Sequence, residues 1–384
     1  MIESGSVSRK AFREELMRLK RGSVTRRQFM GVTGLGAAVA LLGGAMAALR
    51  PGRAHADGLD RLFVLATPGG RHGPQNLDAF RDASGELIMA RTFRSHAEMF
   101  EKVEGDGIRW DVFLPGNASI EALVAQDLLS PLDLSSLPNY APDNINPVFA
   151  QAGVVAGRVY AVPKAWGTTG IAVNTRYDGG RPLTGWKDFF DRTMDDFSGQ
   201  AVMFDEQVAS IGAALRYHGH SFNALDEAAL AQAETLLMEV KPHLAFLSPG
   251  ILLPLRMRRA RLSMAFSGDA RLLLRDIPDH AFVMPVEGTE LWCDCYAISR
   301  QGRRDEAAHA LIDFMLSPAM GAAEARATGY APADERARAR LPSGMLNDPV
   351  VYPDDDVLST LEIVAAETLT NARRHDIFAR FRAA

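Results

Sequence analysis

Trp292 and Asp294 stand two residues apart in an apolar stretch, Trp292-Cys293-Asp294-Cys295-Tyr296-Ala297-Ile298. Side chains of an extended strand alternate between faces, so Trp292, Asp294 and Tyr296 would share one face and Cys293 and Cys295 the other. An aromatic ring beside a carboxylate on such a strand is an unusual pair. The plainer alternative is an edge strand whose outer face is wetted. The two cysteines are poorly spaced for a disulfide, because bridging i and i+2 of one strand is strained. They also lack nearby His or Cys partners for a metal, so a buried, reduced pair is expected. His218 and His220 flank Gly219 without a third ligand and read as a solvated loop. Ser, His and Asp residues occur, but there is no nucleophile elbow, no Gly-x-Gly-x-x-Gly after a strand and no Cys-x-x-Cys-His. No catalytic residue, metal site or cofactor is therefore expected.

The elements that must position such a pair alternate between short apolar runs and amphipathic helices, an α/β pattern. Strands are expected at 62–66, 111–115, 262–266, 282–286 and 292–298. Two more, 158–163 and 171–174, are expected around a turn at Trp166-Gly167-Thr168-Thr169-Gly170. The 111–115 strand runs through Gly116-Asn117-Ala118-Ser119 into a helix ending near Leu129. Asn223 should cap a helix whose buried face holds Leu230, Ala233, Leu237 and Val240 and which Pro242 stops. A second helix starts at Asp305, buries Ala308, Leu311, Ile312 and Met315, and ends before Pro318.

The first stretch is expected to lie outside the working fold. Arg26-Arg27 is followed by Phe29, then by a mild Gly/Ala-rich run from 30 to 49, and Ala54-His55-Ala56 offers a small-x-small cleavage pattern. This reads as a twin-arginine signal peptide over 1–56, engaged by the twin-arginine translocase and cleaved near Ala56 to leave a soluble periplasmic protein. An uncleaved anchor is the alternative. Residues 1–56 carry ten basic and three acidic side chains. Their removal turns 42 basic and 47 acidic residues into 32 and 44, a formal net charge of −12. Such a surface argues against nucleic acid and anionic lipid, and mildly favours a cationic ligand. The remaining 328 residues suit two compact lobes.

Several segments, taken in order, resemble the periplasmic spermidine/putrescine-binding proteins of ABC importers. They are Trp110-Asp111-Val112-Phe113-Leu114-Pro115, Leu128-Leu129-Ser130-Pro131-Leu132-Asp133, Tyr160-Ala161-Val162-Pro163 leading to Trp166-Gly167-Thr168-Thr169-Gly170-Ile171, Met264-Ala265-Phe266-Ser267-Gly268-Asp269-Ala270, Trp292-Cys293-Asp294 and Ala327-Thr328-Gly329-Tyr330. The resemblance implies a two-lobed periplasmic-binding-protein type II fold, each lobe a mixed sheet flanked by helices and joined by crossing hinge segments. It would place 57–167 and 292–333 in lobe 1, and 168–291 and 334–384 in lobe 2. A monomer would close over one small-molecule ligand and present both lobe tips to an ABC-type membrane permease.

In that family carboxylates and aromatic faces grip an ammonium group. Carried over, Trp292 and Asp294 match the central aromatic and carboxylate, Glu206 a supporting carboxylate, Phe266 a tryptophan and Tyr330 a tyrosine. Trp166, Thr168 and Asn117 would line the cleft. The departures are as informative. The aromatic-rich loop after the first strand is Thr67-Pro68-Gly69-Gly70-Arg71-His72-Gly73, the next loop keeps only Asn117-Ala118, Ala209 replaces a second carboxylate, and Lys164 replaces an aromatic. Arg71 and Lys164 could instead meet an anionic group. The expected ligand is thus an amine that need not be a linear polyamine, with a zwitterion as the alternative. An exported enzyme, an iron-binding relative (disfavoured, since there is no Tyr-Tyr pair) and an interaction protein with a disused cleft remain rival readings.

Overall fold

The strand Ala161–Asn174 is buried along nearly its whole length and ties the structure together. Small residues and β-branched residues suit such a position, where sheet neighbours cover both edges and packed layers cover both faces. Its first half pairs antiparallel with Glu290–Ser299, from Ala161 opposite Ala297 to Thr168 opposite Leu291. Its second half pairs with Leu262–Phe266 on one side and His280–Val283 on the other. The computed structural model describes residues 62–105, 109–250, 255 and 259–384. The leader expected at 1–56 lies outside the described residues.

Along the sheet the order is Leu87–Phe93, Leu62–Pro68, Val112–Phe113, Glu290–Ser299, Ala161–Asn174, Leu262–Phe266, Ala201–Phe204 and Leu244–Ser248. Parallel and antiparallel neighbours mix, with Leu65 parallel to Val112 and Ala201 parallel to both Leu262 and Leu244. Among the described residues, two large cores form on this frame. One gathers Phe63, Leu65, Val112, Val162, Ile298, Leu311 and Met315. The other gathers Ile171, Trp186, Phe189, Met203, Leu237, Leu262 and Phe381. A smaller cluster of Ala118, Ala165, Val208, Phe222, Trp292, Tyr330 and Val364 forms a third apolar set, with Phe266 packed against it.

Three local expectations change. The turn expected at 166–170 is continuous strand. Gly167 and Gly170 serve close packing: a Cβ at Gly167 would sit 2.6 Å from the Trp292 ring, and one at Gly170 2.6 Å from the Phe282 ring. Asn223 does not cap the following helix. Asp226 does, accepting from the Ala229 N–H at 2.9 Å, and Glu227–Val240 then runs to the 3₁₀ turn Lys241–His243. Asn223 instead donates through Nδ2 to the Ile363 carbonyl at 2.9 Å. Glu290–Ser299 is no wetted edge strand, because it is buried throughout and flanked on both sides. Its alternation slips at a register shift between Asp294 and Cys295, as a bulge does. Tyr296 therefore packs into the first core, away from Trp292. Cys293 and Cys295 are free and fully buried.

Candidate functional site

A cavity of about 540 Å³ opens where loops following the strands converge. Strand ends of α/β sheets are the usual place for a ligand. Glu290, Trp292 and Asp294 reach it from the bulged strand, and Phe266 ends the Leu262–Phe266 strand beside it. Glu206 enters as the N-cap of Gln207–Tyr217, where its Oε2 accepts from the Ala209 N–H at 2.9 Å. Pro68 ends the Leu62–Pro68 strand and Gly69, Gly70 and Arg71 follow it, while Asn117 follows Val112–Phe113.

Trp292, Phe266 and Tyr330 form three walls of a cage. The Trp292 and Tyr330 rings lie 5.2 Å apart at 63°, and Phe266 meets Trp292 edge-on at 5.7 Å. The close approach of Tyr330 requires Gly268, where a Cβ would fall 2.5 Å from the tyrosine ring. The cage is occupied by the protein's own Arg71. Its guanidinium carbon sits 4.0 Å from the Trp292 ring centre, 4.1 Å from that of Tyr330 and 4.7 Å from that of Phe266. Arg71 Nη1 lies 3.5 Å from Asp294 Oδ2 and has no hydrogen-bond partner among the described residues. Tyr330 donates to Asp269 Oδ1 at 3.1 Å, which places a second carboxylate at the cage.

The loop that carries Arg71 is anchored from behind. Gly70 takes a positive φ of 77° that a side chain would resist. Arg71 donates its N–H to the Pro68 carbonyl at 3.3 Å and accepts at its own carbonyl from Lys164 Nζ at 2.8 Å. Lys164 is paired with buried Glu324 at 3.2 Å. Glu324 also accepts from the Gly73 N–H at 2.8 Å and from Asn76 Nδ2 at 2.6 Å. Lys164 thus holds the loop and does not line the cavity.

Electrostatics follow from this burial. Burial alone would lower the Arg71 pKa, but Tyr330 and the carboxylates of Asp294, Asp269 and Glu290 outweigh it and hold the guanidinium above its ordinary value. Burial raises Asp294 against the pull of Arg71, Lys164 and His96. It likewise raises Asp269 against Arg71 and Tyr330. At the other end of the cavity His96 Nδ1 lies 3.4 Å from Glu206 Oε1. Burial pushes the Glu206 carboxyl up, yet its bond to His96, the His96 charge and backbone N–H groups bring it below the usual range. Glu290 is pushed up to about 7, by burial first and by the Glu206 charge second, while the Thr169 hydroxyl bonded to it works the other way.

Of the residues expected at the site, Trp292, Asp294, Glu206, Phe266, Asn117 and Arg71 line this cavity. Asn117 also orders the strand, accepting from the Cys293 N–H at 2.9 Å. Tyr330 is the back wall of the cage. Trp166 lies elsewhere, packed between Phe149 and Tyr352, and Thr168 is buried with its backbone N–H donating to Ser267 Oγ. Neither lines the cavity. Three residues that do, His96, Asp269 and Glu290, are not among those the sequence pattern singles out. Glu290 was within reach, since carrying the Trp292/Asp294 alternation back one step lands on it. His96 has no such signal.

Known proteins share this architecture. The chain is 27% identical over 288 residues to the spermidine/putrescine-binding periplasmic protein 1 of Haemophilus influenzae, covering 73% of this chain and 78% of that one. It is 26% identical over 329 residues to the spermidine/putrescine-binding periplasmic protein of Escherichia coli, covering 84% and 91%. The solved structure of the spermidine/putrescine ABC transporter substrate-binding protein of Streptococcus pneumoniae superposes with a TM-score of 0.69 at 25% identity, covering 84% of this chain and 99% of that one. The architecture is the two-lobed type II fold of periplasmic binding proteins. The family model for bacterial extracellular solute-binding proteins matches residues 99–349, well over half of the sequence, and the chain belongs to that family.

Proposed function

We propose that this solute-binding protein serves an ABC importer by capturing a small amine-bearing solute in the cavity and passing it to the membrane permease, with no chemistry of its own. The observation that carries the amine is the cavity's charge. Glu206, Glu290, Asp269 and Asp294 converge there, with Arg71 3.5 Å from Asp294, His96 3.4 Å from Glu206 and the charge of buried Arg374 acting on Glu206 and Glu290. An ammonium would sit between Glu206 and Glu290, with its carbon chain along Trp292 and Phe266. A desolvated cation gains roughly 0.5–2 kcal/mol from each well-placed ring, and removal of a buried carboxylate partner costs about 2–5 kcal/mol. The relatives named above bind spermidine and putrescine by name, which supports an amine without fixing its length.

Lobe 1 would comprise 57–167 and 292–333, and lobe 2 the remainder of the exported chain, a monomer that closes on its ligand. The periplasm is the compartment that the relatives' names give, and the twin-arginine leader cleaved near Ala56 would be the route. A zwitterion is the second reading, favoured by Arg71 Nη1, which is buried and lacks a hydrogen-bond partner among the described residues. Equilibrium dialysis of the purified chain against mixed small amines, amino acids and sugars tests the proposal. Retention of an amine supports it, and retention of neutral or anionic solutes alone contradicts it.

A further inference from the structure

The cage around Arg71 has the composition that a ligand cation requires. Three ring faces lie within 4.7 Å of one guanidinium carbon, Asp294 lies 3.5 Å from Nη1, and Asp269 is tied in through Tyr330. Aromatic faces and carboxylates in this arrangement pay for the desolvation of a positive charge. No solute is needed to fill it, because the chain supplies the cation covalently. The loop is built to deliver it: Gly70 makes the turn, Lys164 holds the Arg71 carbonyl, and Glu324 holds the Gly73 N–H two residues on. Room remains beyond the cage, where Glu206, Glu290, His96 and Asn117 line the rest of the cavity.

We propose that Arg71 is a built-in substitute for one ammonium group, so that the cavity selects a solute with a single cationic end and rejects linear diamines. The inference rests on the amine reading above. Glu206 already has His96 as a partner, and Asp294 and Asp269 share Arg71. Glu290 is hydrogen-bonded to the neutral Thr169 hydroxyl; the charges of His96, Arg71 and Arg374 reach it, but none of the described residues forms a direct ion pair with it, and it is the carboxylate placed to meet an incoming cation. A second ammonium would have to expel Arg71 from the cage or lie unpaired against it, and like charges at close range in a buried site repel strongly. Arg71 is a specificity-determining residue in this account. It acts by occupying a subsite, and its guanidinium is not the principal contact of the ligand.

Three probes with the same number of carbons, four, separate the possibilities: butylamine with one positive charge, 1,4-diaminobutane with two, and 4-aminobutyrate with one of each sign. Isothermal titration of each into the wild-type chain and Arg71→Ala reads the ratio of affinities. The wild type should prefer butylamine to 1,4-diaminobutane. Arg71→Ala, with the cage emptied, should raise the diamine's relative affinity by about tenfold or more, tenfold corresponding to 1.4 kcal/mol. Arg71→Gln keeps much of the side-chain volume without the charge and should move the ratio the same way, which covers the case in which Arg71→Ala is too unstable to purify. An unchanged ratio in both variants overturns the substitution account while leaving amine capture intact. Binding of 4-aminobutyrate that Arg71→Ala abolishes without any gain for the diamine also overturns it, and makes Arg71 a carboxylate grip. Failure of all three probes with every form of the protein overturns this inference and the amine reading together.

Discussion

The guanidinium carbon of Arg71 lies 4.0 Å from the centre of the Trp292 ring, although 221 residues separate the two in the chain. Asp294, on the same strand face as Trp292, closes the contact at 3.5 Å from Nη1. This arrangement makes Asp294 first of all the partner of an internal cation. Asp294→Ala should therefore destabilise the protein even without ligand, by about 3 kcal/mol, because it strips a buried charge of a close partner. Urea unfolding of the ligand-free protein measures this. A loss of ligand affinity with unchanged stability would show instead that Asp294 serves the ligand alone.

Glu290 gives the cavity a pH dependence whose sign is fixed. Its folded pKa of about 7 lies above the ordinary carboxyl value of 4.5. Between those two values the folded state holds a proton that the unfolded state has released, so stability falls as pH rises through the window. Glu290→Gln removes that penalty and should be more favourable at pH 8 than at pH 5 by roughly 2–3 kcal/mol. Urea unfolding of both proteins at the two pH values is the check, and a difference that does not vary with pH contradicts the assignment.

The same proton should appear in binding. An ammonium placed beside Glu290 favours its charged form, so amine capture near pH 6.5 should release protons. Titration calorimetry in phosphate and in MES, which differ in ionisation heat and contain no primary amine, would show buffer-dependent enthalpies. Glu290→Gln should remove the dependence. An equal buffer dependence in the variant would assign the proton to another group.

Gly167 tests the packing behind the cage. A methyl group there meets the Trp292 ring at 2.6 Å and Ser267 Oγ at 3.0 Å. Gly167→Ala should cost about 1–3 kcal/mol, as overpacking does, and should shift Trp292 fluorescence as the ring is displaced. An unperturbed spectrum together with native stability would mean that the strand absorbs the methyl group without moving the cage.

Much of the fold is legible from the pattern of residues, and the misreadings share a cause. Leu262–Phe266 and the helix Asp305–Leu316 fall where the apolar periodicity puts them. Gly167 and Gly170 look like a turn because glycine commonly marks one. Here each leaves space for an aromatic ring from a strand distant in sequence, and local pattern carries no trace of that. Asn223 and Asp226 are both acceptable caps, and the choice is made by the contact of Asn223 with Ile363. At the site, Trp292 and Asp294 stand out because they interrupt an apolar strand, and Glu290 extends the same alternation. The position of Arg71 inside the cage depends on Lys164 and Glu324 holding its loop, a three-segment contact that no spacing along the chain encodes.

Capture of an amine between Glu206 and Glu290 is tested most directly by thermal-shift titration of the purified protein with butylamine. A ligand at a hundred times its dissociation constant adds about 2.7 kcal/mol of apparent stability. The wild type and the exposed control Glu239→Ala should shift equally. The double variant Glu206→Gln/Glu290→Gln, which keeps side-chain volume and one acceptor oxygen at each position but loses both charges, should lose the shift. Equal shifts in all three proteins, or none in the wild type with any small amine, would contradict the account.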